Sequence, residues 1–196
     1  MDEPIGRPIA GTQAVTPART LRRGLAVAIG AIVVALSAQV AVSVPLSPVP
    51  MTLQPLAVLA VGGVLGARLG AGALVTYLLM GMAGLPVFAG GAAGVAKLLG
   101  LTGGYLLAFP VAAWVTGAII SRWAQGRSRL LSVLAGCVAG MIVIHAGGVA
   151  QLALLGGDPA LAFRVGFVPF FTGDLLKIGL AAAVILGVGP RVRPLL

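Results

Sequence analysis

The chain contains six apolar runs, and they restrict it to very few folds. They cover residues 22–42, 54–66, 70–84, 104–121, 130–148 and 173–189. An α-helix needs about 20 apolar residues to cross a bilayer core, and fewer where protein shields it. With 59% apolar and only 9% charged side chains, the chain has too few polar groups to cover a water-soluble globule. We therefore predict an all-α integral membrane protein in which residues 19–196 form one domain of six transmembrane helices.

The second and third runs are short and are separated only by a few residues around Arg68. An unbroken helix through both runs would overshoot the bilayer by several turns at ~1.5 Å per residue. Gly66 and Gly70 flank the arginine and permit a tight turn, so we predict a helical hairpin. Residues 1–18 match no pattern and are predicted to form a flexible cytoplasmic tail.

The basic residues are unevenly divided between the two ends of the predicted spans. With a cytoplasmic N-terminus, ten of the thirteen lie on the cytoplasmic side, and only Lys97, Arg164 and Lys177 lie outside. Basic residues in short loops favour the cytoplasmic face, so we predict that both termini are cytoplasmic. The formal charge of +9 does not indicate a nucleic-acid partner, because these residues flank apolar runs and form no patch on a polar surface.

Two predicted external connections are rich in proline or glycine and nearly uncharged. Residues 44–55 contain four prolines, which exclude helix, and residues 85–104 contain several glycines. Irregular backbone at membrane depth is tolerated where it is buried in protein or lines a cavity. The cytoplasmic turns, by contrast, are short and basic. We therefore predict a ligand pocket at the external face, bounded by these loops.

Small residues recur four positions apart within several runs. Such pairs allow helices to approach closely in lipid, and intramolecular packing is their simplest interpretation. The pairs are Ala31 and Ala35, Gly62 and Gly66, Ala113 and Gly117, and Gly136 and Gly140.

Asp174 and Lys177 are the charged residues that most need an explanation. They stand three positions apart just inside the sixth run, so they project from the same helix face. In lipid both would be costly, which favours a position facing the bundle interior or a wet cavity. A local ion pair at the interface is the alternative interpretation. A facing pair would suit a ligand with one anionic end and one end that donates hydrogen bonds.

Other residues near the external loops are candidate contacts to a ligand. Phe88, Tyr105 and Phe109 could form an apolar wall, and Thr52, Gln54 and Thr102 could add polar groups. His145 is the only histidine, and we interpret it as a pocket or packing residue with Gln151 as a possible partner.

Catalytic and metal chemistry find little support in the sequence. His145 and Cys137 do not form part of a set at metal-ligand spacing, so no metal and no cofactor are predicted. No phosphate-binding loop precedes Lys97, so energy for uphill transport must come from an ion gradient or from another protein.

Five segments together resemble the biotin-specific substrate-binding subunits of energy-coupling-factor transporters. They are VPMTLQPLAV at 49–58, GVLGARLG at 63–70, YLLMGMAGLPVF at 77–88, TGGYL at 102–106 and GDLLK at 173–177. The resemblance implies six helices in a bacterial cytoplasmic (inner) membrane and external capture of biotin. It also implies partnership with a transmembrane coupling subunit and a pair of ATPases.

The resemblance also implies roles for individual residues. Asp174 would contact the ureido ring of biotin, and Lys177 and Tyr105 would lie toward its carboxylate end. The loop from Thr52 to Gln54 would act as a lid, with Phe88, Gly104 and His145 completing the binding residues. Ala31 and Ala35 resemble the small-residue face with which such subunits dock on the coupling protein.

Three alternatives remain open at this level. The same fold could capture a different vitamin or small carboxylate, because a fold does not choose its ligand. A small intramembrane enzyme would need a nucleophile or metal set at membrane depth, and we predict no enzymatic activity. A purely structural membrane protein would have no use for the GDLLK segment beside ordered external loops.

Overall fold

The computed structural model of the chain describes residues 17–45, 47–123 and 128–196. Residues 1–16 of the predicted tail lie outside the described residues. Residues 17 and 18, which we assigned to the tail, already belong to the first helix. The first helix thus begins two residues before the predicted domain boundary at residue 19.

The described residues form an almost entirely helical structure. The helices are α1 (Pro17–Ala38), α2 (Gln54–Leu65), α3 (Ala67–Met82), α4 (Val95–Leu99), α5 (Gly103–Trp123), α6 (Arg129–Gly156), α7 (Pro159–Gly166) and α8 (Phe171–Val192). Strands β1 (Ala41–Val42) and β2 (Met51–Thr52) pair antiparallel. Short 3₁₀ turns cover Ala89–Gly91, Val168–Phe170 and Arg193–Leu195.

Four helical segments are long and apolar enough to cross a membrane by length and composition. They are Pro17–Ala38, Gly103–Trp123, Arg129–Gly156 and Pro159–Leu195. Helices α2 and α3 are also apolar but shorter. Each predicted span falls on one of the six longer helices, although the bounds differ. Helix α1 ends four residues earlier than predicted, and α6 continues eight residues beyond Gly148.

The chain between α2 and α3 turns sharply at Gly66. This residue has φ of 83°, a left-handed value that favours glycine, and it separates the two helices alone. Near the turn, Gly70 lies close to Gly62, while at the far ends the Gln54 amide donates to the Tyr77 hydroxyl at 2.7 Å. Contacts at both ends require α2 and α3 to run antiparallel, which confirms the predicted hairpin.

Close helix packing in the bundle depends on the small residues identified in the sequence. A methyl group on Gly62 would overlap the backbone of Ala113, and one on Gly117 would overlap the backbone of the Gly66–Ala67 turn. The small pair of α2 therefore packs on the small pair of α5. Gly136 and Gly140 of α6 meet α5 in the same way. The large internal core lies between these helices.

The first small-residue pair lies on α1. Ala31 is 0% exposed and belongs to the core, and Ala35 is half-buried against it. Helix α1 packs on α3, where Gly30 lies close to Ala73. The role of Ala31 and Ala35 in docking on a coupling protein stays a prediction.

The two ends of the bundle differ in composition. One end of the bundle contains the turn at Gly66, the end of α5 and the start of α6. The end of α8 lies there too, because Arg193 Nη2 donates to the Gly63 carbonyl at 2.5 Å. We call this the basic end, because it holds eight of the arginines that the structure describes: Arg19, Arg22, Arg23, Arg68, Arg122, Arg129, Arg191 and Arg193. The opposite end contains the strands, α4, α7 and the first turns of α2, α5 and α8.

Candidate functional site

A buried cluster of three polar side chains lies at the end opposite the basic end. Lys177 Nζ donates to Asp174 Oδ1 at 3.0 Å, and His145 Nε2 lies 2.6 Å from Asp174 Oδ2. Asp174 and Lys177 are each 5% exposed, and His145 is 8% exposed. Both carboxylate oxygens are therefore engaged, and the negative charge is compensated by a lysine on the same helix.

Helices α6 and α8 bring this cluster together. Asp174 and Lys177 occupy the first two turns of α8, where their spacing places them on one face. His145 comes from α6, 29 positions earlier in the chain, and its ring is enclosed by Tyr105, Phe167 and Phe170 at centroid distances of 6.0, 5.0 and 6.3 Å. These aromatic contacts hold the imidazole edge toward Asp174.

The second ring nitrogen of His145 is unused. An ionised carboxylate only accepts hydrogen bonds, so Nε2 carries the proton that points to Asp174. Nδ1 is buried and has no hydrogen-bond partner within the part of the chain that the structure describes. A buried polar atom without a partner is uncommon in folded proteins, and a ligand atom can satisfy it.

The cluster forms part of the wall of a cavity with about 580 Å³ of empty space, some of it open to solvent. The wall is mostly apolar with a few polar groups. The lining residues are Val49, Pro50, Thr52, Gln54, Pro55, Ala89, Lys97, Thr102, Tyr105, Leu106, Phe109, Ile144, His145, Phe170, Asp174 and Lys177.

The wall contributed by the start of α2 is held by an internal hydrogen-bond chain. Thr52 Oγ1 lies 3.3 Å from both the backbone nitrogen and the side-chain Oε1 of Gln54. The amide of Gln54 then donates to Tyr77, whose hydroxyl donates to the Val87 carbonyl at 3.2 Å. Gln54 is thereby fixed at the cavity, with its amide oxygen and one of its two amide N–H groups bonded to protein partners.

The proline-rich connection between α1 and α2 closes against α7. Strands β1 and β2 bring its two ends together, and Ser47 Oγ donates to the Val165 carbonyl at 2.8 Å. Val49 of this connection is buried and lines the cavity. Three of the four prolines, Pro45, Pro48 and Pro50, lie in this connection and exclude helix there, whereas Pro55 lies in the first turn of α2.

Gln151 holds the glycine-rich connection between α3 and α5. Its side-chain amide donates to the carbonyls of Leu98 and Gly100 at 3.0 and 2.6 Å. This corrects the expectation that Gln151 partners His145. Its position on the extension of α6 beyond Gly148 explains the difference, because the extra turns carry it to the connection and away from the imidazole.

The structure brings six of the eight predicted binding residues to the cavity. Asp174, Lys177, Tyr105, Thr52, Gln54 and His145 all line it. Tyr105 does so with its ring, since its hydroxyl donates to the Gly166 carbonyl at 2.6 Å and its only proton is used. A carboxylate contact donated by Tyr105 is therefore not available in this conformation.

Phe88 and Gly104 are not among the residues that line the cavity. Phe88 is fully buried and packs edge-to-face on Tyr77, with ring centroids 5.6 Å apart. Gly104 lies against the backbone of Gly147, where a methyl group would overlap it, so its function is close packing of α5 on α6. Both residues support the cavity wall from behind.

Sequence reasoning missed some residues of the wall. Lys97 was considered only for nucleotide binding, yet it lines the cavity from α4. Phe170 and Ile144 are apolar residues in apolar surroundings, and no sequence signal separates them from ordinary core residues. For Lys97 a signal did exist, because it is one of only three basic residues assigned to the external side.

Together, the apolar helices and the enclosed charge cluster define a membrane-embedded protein with a small-molecule site at one end. Comparison with known proteins identifies the family within this class. The profile of the BioY family matches residues 12–194 of this chain. The chain belongs to the BioY family.

Two relatives illustrate the similarity. The biotin transporter BioY of Thermotoga maritima is 43% identical over 145 residues, which cover 74% of this chain and 83% of the relative. The biotin transporter BioY of Rhizobium etli is 38% identical over 157 residues, covering 78% and 84% respectively. Both alignments span most of each protein.

A solved structure shares the fold. It is the crystal structure of the S-component for biotin from an ECF-type ABC transporter, and it superposes with a TM-score of 0.80 over 88% of this chain and 93% of that chain. Sequence identity is only 23%, so this likeness supports the helical architecture alone.

Proposed function

We propose that this chain captures biotin outside the bacterial cytoplasmic membrane and delivers it inward with an ATP-driven energy-coupling module. Membership of a family of biotin transporters supports this function. The observation that carries it is the buried Asp174, whose two oxygens are bonded to Lys177 and His145 in the wall of a mostly apolar cavity. Such a cluster is costly in a lipid-embedded bundle unless it serves a ligand.

The chemistry of biotin fits the groups present. Its cyclic urea offers two N–H donors and one carbonyl acceptor, and its remaining rings and chain are apolar. A carboxylate has about four acceptor positions, so Asp174 can accept a ureido N–H in addition to its two present bonds. Lys177 keeps two further donors for the ureido oxygen, and the free Nδ1 of His145 can accept from the other N–H. The apolar walls cover the rest.

The position of the cavity fits external capture if the basic end faces the cytoplasm. Eight arginines of the described chain gather at the basic end, and only Lys97, Arg164 and Lys177 lie at the other. This distribution supports six spans, with the short α2 and α3 shielded inside the bundle and both termini cytoplasmic. The connection that carries Ser47, together with the segment from Thr52 to Gln54, would form the lid.

Equilibrium binding with the purified full chain tests capture. We expect saturable biotin binding that excludes other vitamins offered at the same concentration. Asp174→Ala and Lys177→Ala should each weaken it strongly. The second candidate, another vitamin or small carboxylate in the same fold, is favoured if a different member of the panel binds and biotin does not.

Cysteine labelling tests the orientation. Replacing the single, buried Cys137 by alanine gives a background without thiols. In intact cells a membrane-impermeant maleimide should then label Arg164→Cys, at the cavity end, and leave Arg68→Cys, in the turn at the basic end, unlabelled until the cells are opened. The reverse pattern contradicts external capture.

Uptake assays test the coupling. Cells that produce the chain with a transmembrane coupling subunit and two ATPase subunits should accumulate biotin. An ATPase variant that cannot hydrolyse ATP should abolish accumulation but leave biotin binding to this chain intact. Accumulation that does not depend on ATP hydrolysis would contradict the proposed module.

A further inference from the structure

The cavity carries more positive than negative charge. Asp174, Lys97 and Lys177 are its charged lining residues, so its formal charge is +1 with His145 neutral. Asp174 is bonded to Lys177 and His145, which leaves Lys97 as the uncompensated charge. Asp158, the other acidic residue within the described ranges, is exposed and caps α7 by accepting from the Leu161 N–H at 3.0 Å.

Of the two cations that line the cavity, Lys97 is the one with all its donors available. No ion pair or side-chain hydrogen bond of its ammonium occurs among residues 17–45, 47–123 and 128–196. It is half-buried, so part of its hydration is lost without a protein group in compensation. A cation in that position is stabilised by any anion that enters the cavity.

The backbone around Lys97 is tightly held. The amide of Gln151 binds the carbonyls of Leu98 and Gly100, and Leu98 itself is buried. At the other side, the Gly94 N–H donates to the Gly81 carbonyl at 2.8 Å. The ammonium is therefore presented from a fixed support and not from a loose loop, which reduces the entropy lost when it binds an anion.

We infer that Lys97 binds the carboxylate of the ligand and gives this site its preference for an anion. The inference rests on the proposed biotin function and deepens it, because it assigns the two ends of the ligand to different parts of the chain. Asp174, Lys177 and His145, from α6 and α8, hold the ureido end. Lys97, from α4, holds the end of the valerate chain. The expected carboxylate contact of Lys177 and Tyr105 is replaced by this assignment.

Binding of biotin and of its neutral primary amide to the same purified variants tests this inference. The two ligands share the ureido end and differ in charge at the other end. The wild-type chain should prefer biotin by roughly 10- to 100-fold, the range for loss of a hydrogen bond between charged groups. In Lys97→Gln the two ligands should bind almost equally, with affinity for the amide close to that of the wild type. In Lys97→Glu the amide should become the better ligand.

Arg164→Gln provides the matched control. It removes one exposed cation from α7, at the same end of the bundle but away from the cavity wall. Arg164→Gln should keep the wild-type preference for biotin over its amide. Lys97→Arg keeps the positive charge and should retain most of that preference. If Lys97→Gln also keeps the full preference for biotin, the inference is overturned and Lys177 is the carboxylate-binding cation. If the wild-type chain binds neither ligand but binds another vitamin, the proposed biotin function fails instead.

Discussion

The two ends of the bundle use polar groups in opposite ways. At the cavity end, Asp174, Lys177 and His145 are buried and meet each other inside the protein. At the basic end, charged side chains reach outward or bind nearby backbone carbonyls, as Arg191 does at Gly187. Small residues pack the helices closely at that end. If the proposed function is right, the basic end determines orientation and packing, and the cavity end selects the ligand.

The largest expected effect comes from removing the carboxylate of the cavity end. Asp174→Ala leaves Lys177 buried without its partner. We expect biotin binding to weaken by about 100-fold or more, and the free energy of unfolding to fall by about 3–5 kcal/mol. Titration calorimetry and thermal unfolding of the purified chain measure the two quantities separately.

A double variant separates binding from folding in this experiment. Asp174→Leu combined with Lys177→Leu removes both buried charges, so stability should recover while binding stays lost. Asp158→Ala removes the other described carboxylate, an exposed helix cap, and should cost about 1 kcal/mol without any change in affinity. Recovery of biotin binding in the double variant would contradict the assignment of this cluster.

The next largest effect is expected at the basic end, where a substitution should change the free energy of unfolding but not the affinity for biotin. Gly117→Ala places a methyl group against the backbone of the turn at Gly66, which has no flexible side chain to move aside. We expect a loss of about 1–3 kcal/mol in the free energy of unfolding, with unchanged biotin affinity in the folded fraction. Thermal unfolding in detergent with and without biotin makes the comparison.

Gly187→Ala is the matched control for this substitution. It lies near the same end on α8, is exposed, and a methyl group there would meet nothing within 4 Å. Helix propensity alone should then stabilise the chain by up to about 1 kcal/mol. Equal destabilisation by both substitutions would mean that close packing at the turn does not explain the effect.

Much of the helical framework was predictable from the sequence, because long apolar runs have few alternatives to helix in lipid. The hairpin at Gly66 and close helix packing at small residues followed from glycine and small-residue spacing, but the spacing did not indicate that Gly62 meets Ala113. Helix ends were less predictable. Helix α6 continues to Gly156 at the cavity end, and the paired strands are two residues each, too short for any periodic signal.

Contacts within the candidate site were predictable only where the residues are neighbours in sequence, although most of the lining residues themselves were predicted. Asp174 and Lys177 stand out as a pair on one helix face, but the bond between Asp174 and His145 joins positions 29 apart on different helices. The burial of Ala31 could not be predicted either, because small residues serve internal and external contacts equally well. Burial in the folded bundle distinguishes these cases, and spacing alone cannot.

A smaller effect should come from the support of the glycine-rich connection at the cavity end. Gln151→Ala removes both hydrogen bonds that hold Leu98 and Gly100. Lys97 and Thr102 then lose their fixed position, and we expect biotin binding to weaken by about tenfold. Gln39→Ala is the control, because its longer bonds to Phe88 and Gly91 hold a part of this connection farther from Lys97. Equal effects of the two substitutions in titration calorimetry would indicate general loosening of the connection.

The smallest effect should come from Arg193 at the basic end. Its guanidinium binds the carbonyls of Gly63 and Val64, which lie at the end of α2 and lack partners within that helix. Arg193→Gln should therefore lower the free energy of unfolding by about 1 kcal/mol and leave biotin affinity unchanged. Arg191→Gln should do less, since its contact is with its own helix and is exposed. If Arg193→Gln instead weakened biotin binding, the two ends would be mechanically coupled, and the separation of packing from ligand selection would not hold.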